Sequence, residues 1–125
     1  MPELPENVDV ERPASGVAVV AFTGEHDLTT RRATSALLAS LIEDNGAVIV
    51  DFSKAKFVDT SIMEVVQEAN RTARDRGTIF RLQLGTAPIV DMLFRITGVS
   101  TEVECASTRA EALAGTGERN SIEQE

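Results

Sequence analysis

Apolar residues along this chain follow two rhythms in alternation. Short continuous runs come first in each pair: Val17-Ala18-Val19-Val20-Ala21-Phe22, then Val48-Ile49-Val50-Asp51-Phe52, then Ile79-Phe80-Arg81-Leu82-Gln83-Leu84. Runs of that length and β-branched content predict strands, and the second suits a central strand covered on both faces. Between them, apolar positions fall three and four apart. Ala33, Leu37, Leu38, Leu41 and Ile42 predict a helix over about 30–43, and Ile62, Val65, Val66, Ala69 and Ala73 predict one over about 61–76. Asn45-Gly46 and Asp75-Arg76-Gly77 should end these helices, with glycine in the left-handed position. Pro88 suits the first turn of a further helix with Ile89, Val90, Leu93 and Phe94 inside, stopped at Gly98-Val99-Ser100. A short strand near Glu102–Glu104 and a helix at Arg109–Leu113 follow. Ser53–Val58 reads as a linker, and Thr23–Asp27 as a polar turn.

Strand and helix alternating in this way imply βαβ units and a mainly parallel sheet, hence an α/β fold. The alternation leaves open whether the helices share one face or cover both. Residues 1–14 form an acidic segment that can pair as an edge strand through Val8 and Val10 or fray. Residues 15–114 form the domain, and 115–125 read as a disordered acidic tail.

Composition narrows the functions open to such a domain. Without Trp or Tyr, the core must be aliphatic with five Phe residues as its only large rings. The single Cys105 excludes an internal disulfide or cysteine cluster, fits a reducing cytoplasmic setting, and reads as a buried apolar residue in a late strand. No leader-like or membrane-spanning apolar stretch is expected. Of the net charge of −8, residues 1–13 carry −3 and residues 118–125 carry −2. Acidic ends argue against nucleic acid or an anionic membrane as partner.

The residues richest in chemistry lie at Asp59-Thr60-Ser61-Ile62-Met63-Glu64, where the second strand turns into the second helix. Two adjacent hydroxyls at a helix N-terminus meet unpaired N–H groups and a partial positive charge, a favourable setting for a phosphate. Ser61 and Glu64 also fit a capping box, which needs no function. Three potential caps in a row leave a hydroxyl to spare. The hydroxyl reads as a substrate for modification rather than as a nucleophile, because catalysis would need a base in reach. The only histidine, His26, is expected as an exposed loop residue. No G-x-S-x-G elbow and no glycine-rich nucleotide motif is present. Asp51 reads as a strand-end carboxylate. Glu25 and Asp27 could mimic a receiver's acidic pair, but no Lys follows the third strand, so a Mg²⁺ pocket is not expected. Arg71, Arg74, Arg76 and Arg81 read as a solvated basic face.

Six pieces in order carry a family resemblance: Phe22-Thr23-Gly24-Glu25-His26-Asp27, Val50-Asp51-Phe52-Ser53, Phe57-Val58-Asp59-Thr60-Ser61, Ala69–Gly77, Leu93–Val99 and Arg109–Leu113. Across about residues 15–114 the chain resembles the STAS domain, specifically the bacterial anti-sigma-factor antagonists. The resemblance implies a mixed, mostly parallel sheet of four to five strands with about four helices. It implies a non-enzymatic, cofactor-free, cytoplasmic monomer or weak dimer that captures an anti-sigma factor, often a serine kinase, and so frees a sigma factor. Phosphorylation at the turn would break the complex, and a phosphatase would restore it. By position Ser61 matches the usual phosphosite and Thr60 the first hydroxyl. Gly24, Glu25, Asp27, Asp59, Thr60, Ser61, Ile62 and Met63 would form the partner surface. One position departs: Ile62 stands where the family usually has Gly. That departure carries two alternatives, a STAS scaffold subunit of a stress-signalling assembly or a constitutive antagonist without a phosphoswitch.

Overall fold

The computed structural model of the protein describes residues 4–85, 94–95 and 97–116. Strand β1 (Val8–Ala14) forms a hairpin with β2 (Val17–His26). A 3₁₀ turn (Leu28–Thr30) then leads into helix α1 (Arg31–Asp44). The chain continues through β3 (Ala47–Val58), α2 (Thr60–Arg76) and β4 (Ile79–Gln83). A single turn α3 (Val99–Glu102), β5 (Glu104–Ala106) and α4 (Arg109–Leu113) complete the described order. The acidic N-terminal segment thus takes the edge-strand option. The Pro88 helix face (Ile89, Val90 and Leu93) and tail residues 117–125 lie outside the described residues.

The five strands stand in sequential order, β1 to β5, with β1 antiparallel to β2 and the rest parallel. Sequential order combined with right-handed crossovers puts consecutive crossover helices on one face. Accordingly α1 and α2 pack side by side there. Val20, Val50 and Leu82 stand in register beneath them, as do Val48 and Phe80. Phe52 links this core, stacked on Phe22 at 4.9 Å between ring centres and tilted against Phe94 at 5.2 Å. Each such ring or branched side chain removed from water contributes roughly 1.5–3 kcal/mol.

The opposite face alternates in register: Val19, Ile49, Arg81 and Glu104. Among the described residues only α4 covers it, with Ala112 packed on Val19 and Ile49. Beyond that small apolar patch the cover is ionic. Asp51 is buried in the interior of β3, not at a strand end, and accepts a 2.7 Å bond from Arg109 Nη2. Arg109 also donates to Gln83 at 2.8 Å and to Glu11 of β1 at 2.7 Å. Its burial opposes the charge, but the hydrogen bonds it donates to Glu11 and Asp51 outweigh it and hold the guanidinium pKa above its ordinary value. Arg81, expected among solvated arginines, also belongs to this face. It reaches Glu104 and donates to the carbonyls of Ala112 and Ala114 at 3.0 and 2.6 Å, tying down the end of α4. Arg71 and Arg74 are exposed, as expected.

Several local expectations change for identifiable reasons. Ser53–Val58 continues β3 instead of linking, and Thr23–His26 continues β2, because the two segments pair with each other through two register shifts. Ala33 is exposed, and Thr34 takes its place against the sheet. Helix α1 ends on extended Asn45, whose side-chain amide donates to the Leu41 carbonyl at 2.9 Å, so no left-handed glycine is needed. Gly77 does end α2 in the left-handed region, at φ 73°. At Gly85, with φ 65°, a Cβ would lie 2.6 Å from that of Ser53, so only glycine fits. Cys105 is exposed, not buried, because the short β5 lies at the sheet edge.

Candidate functional site

The parallel pairing that ends at His26–Val58 brings two turns together at the C-terminal ends of β2 and β3. Ligand sites of open parallel sheets gather at that end because loops, not helices, fill it. Both turns are built alike. Asp27 caps the 3₁₀ turn, its Oδ1 accepting from Thr29 N–H at 2.9 Å and from Thr29 Oγ1 at 2.5 Å. Asp59 caps α2, its Oδ1 accepting from Ser61 N–H at 2.9 Å and from the Ser61 hydroxyl. The side-chain and backbone hydrogen bonds from Thr29 hold the Asp27 pKa below the usual carboxylate range. A 3.1 Å bond from Asp59 N–H to the His26 carbonyl joins the two turns.

Asp59, not Ser61, is therefore the helix N-cap. The capping box expected of Ser61 and Glu64 does not form, since Glu64 turns outward to Arg31 at 3.3 Å. Ser61 is half-buried and Thr60 exposed. Gly24 sits at a register shift with φ 69°, beside exposed Glu25. Gly24, Glu25, Asp27, Asp59, Thr60 and Ser61 all lie at this end of the sheet. Ile62 and Met63, expected on the same surface, are 0% and 2% exposed and belong to the core. The first turn of α2 rotates them toward the sheet. Two residues not anticipated from the sequence do reach solvent here: Leu28, 65% exposed, and Phe57, 41% exposed. Their apolar character outside the strands and helices expected from the sequence was the available signal.

His26 corrects another expectation, because its ring is fully buried at the end of β2. It packs edge-on against Phe22 at 4.8 Å, and Nε2 lies 2.9 Å from the Thr23 carbonyl. Burial lowers its pKa despite the carbonyls of Thr23 and Asn7 and the charge of Asp27. The unfolded chain, near 6.5, then takes up this proton before the folded chain does as pH falls. Unfolding free energy should rise with pH through the window below 6.5 and level off above it. Urea melts at a series of pH values would show that slope in the parent chain and its loss in His26→Gln; an unchanged slope would exclude His26 as the source.

Among the described residues no group of three potential metal ligands occurs, and no helix is long and apolar enough to cross a membrane. The two turns offer backbone donors, carboxylate acceptors and hydroxyls.

The model of the STAS domain family matches residues 8–112 of the chain. A comparison with curated proteins found no match. Solved structures of the same fold include the anti-sigma factor antagonist SpoIIAA in its unphosphorylated form, 19% identical. That match covers 94% of this chain and 97% of that one, with a TM-score of 0.72. An anti-sigma factor antagonist from Mycobacterium paratuberculosis is 20% identical over 91% of this chain and 98% of its own, with a TM-score of 0.73. A variant of RsbS from Moorella thermoacetica is 19% identical over 96% of this chain and all of its own, with a TM-score of 0.71.

Proposed function

This chain belongs to the STAS domain family, and on that premise we propose that it is an anti-sigma-factor antagonist switched by phosphorylation at Ser61, with Thr60 the neighbouring acceptor. The observation that carries the reading is the paired turns. Two capped helix starts stand side by side at one end of the sheet, each with a hydroxyl on its capping carboxylate. An exposed leucine and phenylalanine flank them. The solved relatives of the same fold include antagonists of anti-sigma factors, one of them in both unphosphorylated and phosphorylated forms.

The partner in this reading is an anti-sigma factor with serine kinase activity, and a phosphatase resets the switch. The chain acts by binding, not by catalysis: its one imidazole is buried and engaged with Thr23, and the Ser61 hydroxyl points at Asp59. Cytoplasmic location follows from the partner. Incubation with an anti-sigma-factor kinase and Mg-ATP should add one phosphate to the intact mass, and Ser61→Ala should abolish the gain. A complex that forms without any mass gain would leave a constitutive antagonist. A stable high-order particle by light scattering would instead favour a scaffold subunit.

A further inference from the structure

The outer surface of α1 and α2 carries a groove of about 610 Å³ that begins at the paired turns. Leu28 stands at its mouth, Arg31, Arg32, Ala36 and Ala39 form the α1 wall, and Val65 lines the α2 side. A smaller recess of about 50 Å³ prolongs it along the same two helices. Ser35, Ala36 and Ala39 are the small side chains of the α1 wall, and they allow close approach of another backbone beyond the arginines. Val65 at the base is only 3% exposed, so the apolar surface of the groove comes from exposed Ala36 and Ala39 and from Leu28, the most exposed large apolar side chain among the described residues.

Charge identifies the occupant. The chain is acidic overall, at −8, yet two consecutive arginines stand at the groove entrance. Arg31 reaches Glu64 through an exposed pair, while Arg32 makes no ion pair among the described residues. Glu68 lies on the opposite wall, so the α1 side alone attracts an anion. We infer that the groove receives an amphipathic helix of the anti-sigma factor, with apolar side chains over Val65 and Ala39 and carboxylates against Arg31 and Arg32. Helix-in-groove docking of this kind uses apolar anchors one turn apart, with charge setting the register.

The inference rests on the antagonist reading and supplies its electrostatics. Ser61 lies one turn before Val65, on the groove side of α2. A phosphate there would add a charge of about −1.5 to −2 at the entrance, facing the carboxylates of the same partner helix. Binding and release then turn on one local field.

Calorimetric titration of the unphosphorylated chain with each purified anti-sigma factor of the host genome tests the assignment. Two surface variants, Arg32→Glu and Ala39→Trp, are each expected to weaken the complex at least tenfold. The loss in Arg32→Glu should shrink as salt is raised, and Arg74→Glu, at the far end of α2, should bind as the parent does. If the parent binds and both groove variants bind within about twofold of it, the groove assignment is overturned while the antagonist reading stands. If the parent binds none of them, the antagonist reading falls and the groove assignment with it. Self-association lost in Ala39→Trp would assign the groove to a second copy and overturn the proposal.

Discussion

Ser61→Asp and Ser61→Glu are expected to weaken the anti-sigma complex by on the order of 100-fold, about 2.7 kcal/mol, whereas Ser61→Ala should bind nearly as the parent does. The difference lies in what Asp59 accepts. Its carboxylate takes both the backbone N–H and the hydroxyl of residue 61. Alanine removes the hydroxyl bond, typically worth about 1 kcal/mol net. The backbone bond that caps α2 survives. An acidic side chain removes the same bond and places a second carboxylate against the first, facing the carboxylates of the partner helix proposed above. Titration calorimetry of the three variants, with circular dichroism to show that α2 persists, separates loss of binding from loss of fold. Retained affinity in both acidic variants would exclude a charge-operated switch at Ser61.

Arg109→Met should destabilise the fold by about 3–5 kcal/mol, the usual cost of stranding a buried charge. Asp51 has a side chain only 5% exposed, and Arg109 Nη2 is its ion-pair partner at 2.7 Å. Methionine keeps most of the packing volume but leaves that carboxylate without its counter-charge. The double variant Arg109→Met, Asp51→Leu should recover much of the loss, because an apolar pair at such a site is often neutral or better. Urea unfolding of the two variants measures this directly. Equal destabilisation in single and double variants would mean that the arginine acts through Glu11 and Gln83 instead.

The periodicity of apolar residues made the strand–helix alternation legible, and the matched pieces made the family legible. What escaped was set by contacts distant in sequence. Nothing local to Asp51 or Arg81 distinguishes a solvated charge from one answered by α4, since the partner of Asp51 lies 58 positions further on. His26 looked exposed for the same reason: the strand it closes becomes strand only by pairing with Ser53–Val58. At the site, the hydroxyls and capping acids were visible in the sequence. The inward turn of Ile62 was too, through its place in the apolar repeat with Val65 and Val66, but that of Met63 was not, because it depends on the helix starting at Asp59 rather than Ser61. One residue of offset at a helix start rotates each following side chain by about 100°.

The sequential strand order also shapes how the chain is made. Each new strand adds to the edge laid down by the one before it, so the sheet can lengthen in the order in which a ribosome delivers it. Among the described elements α4 breaks that progression. Through Arg109 it reaches back 98 residues to Glu11 on the first strand. Contacts of such separation carry the largest loop-closure entropy and form late. The growing chain would therefore expose the Val19 and Ile49 patch until α4 arrives, and the Arg109 bonds close that second face of the sheet after all five strands are laid down.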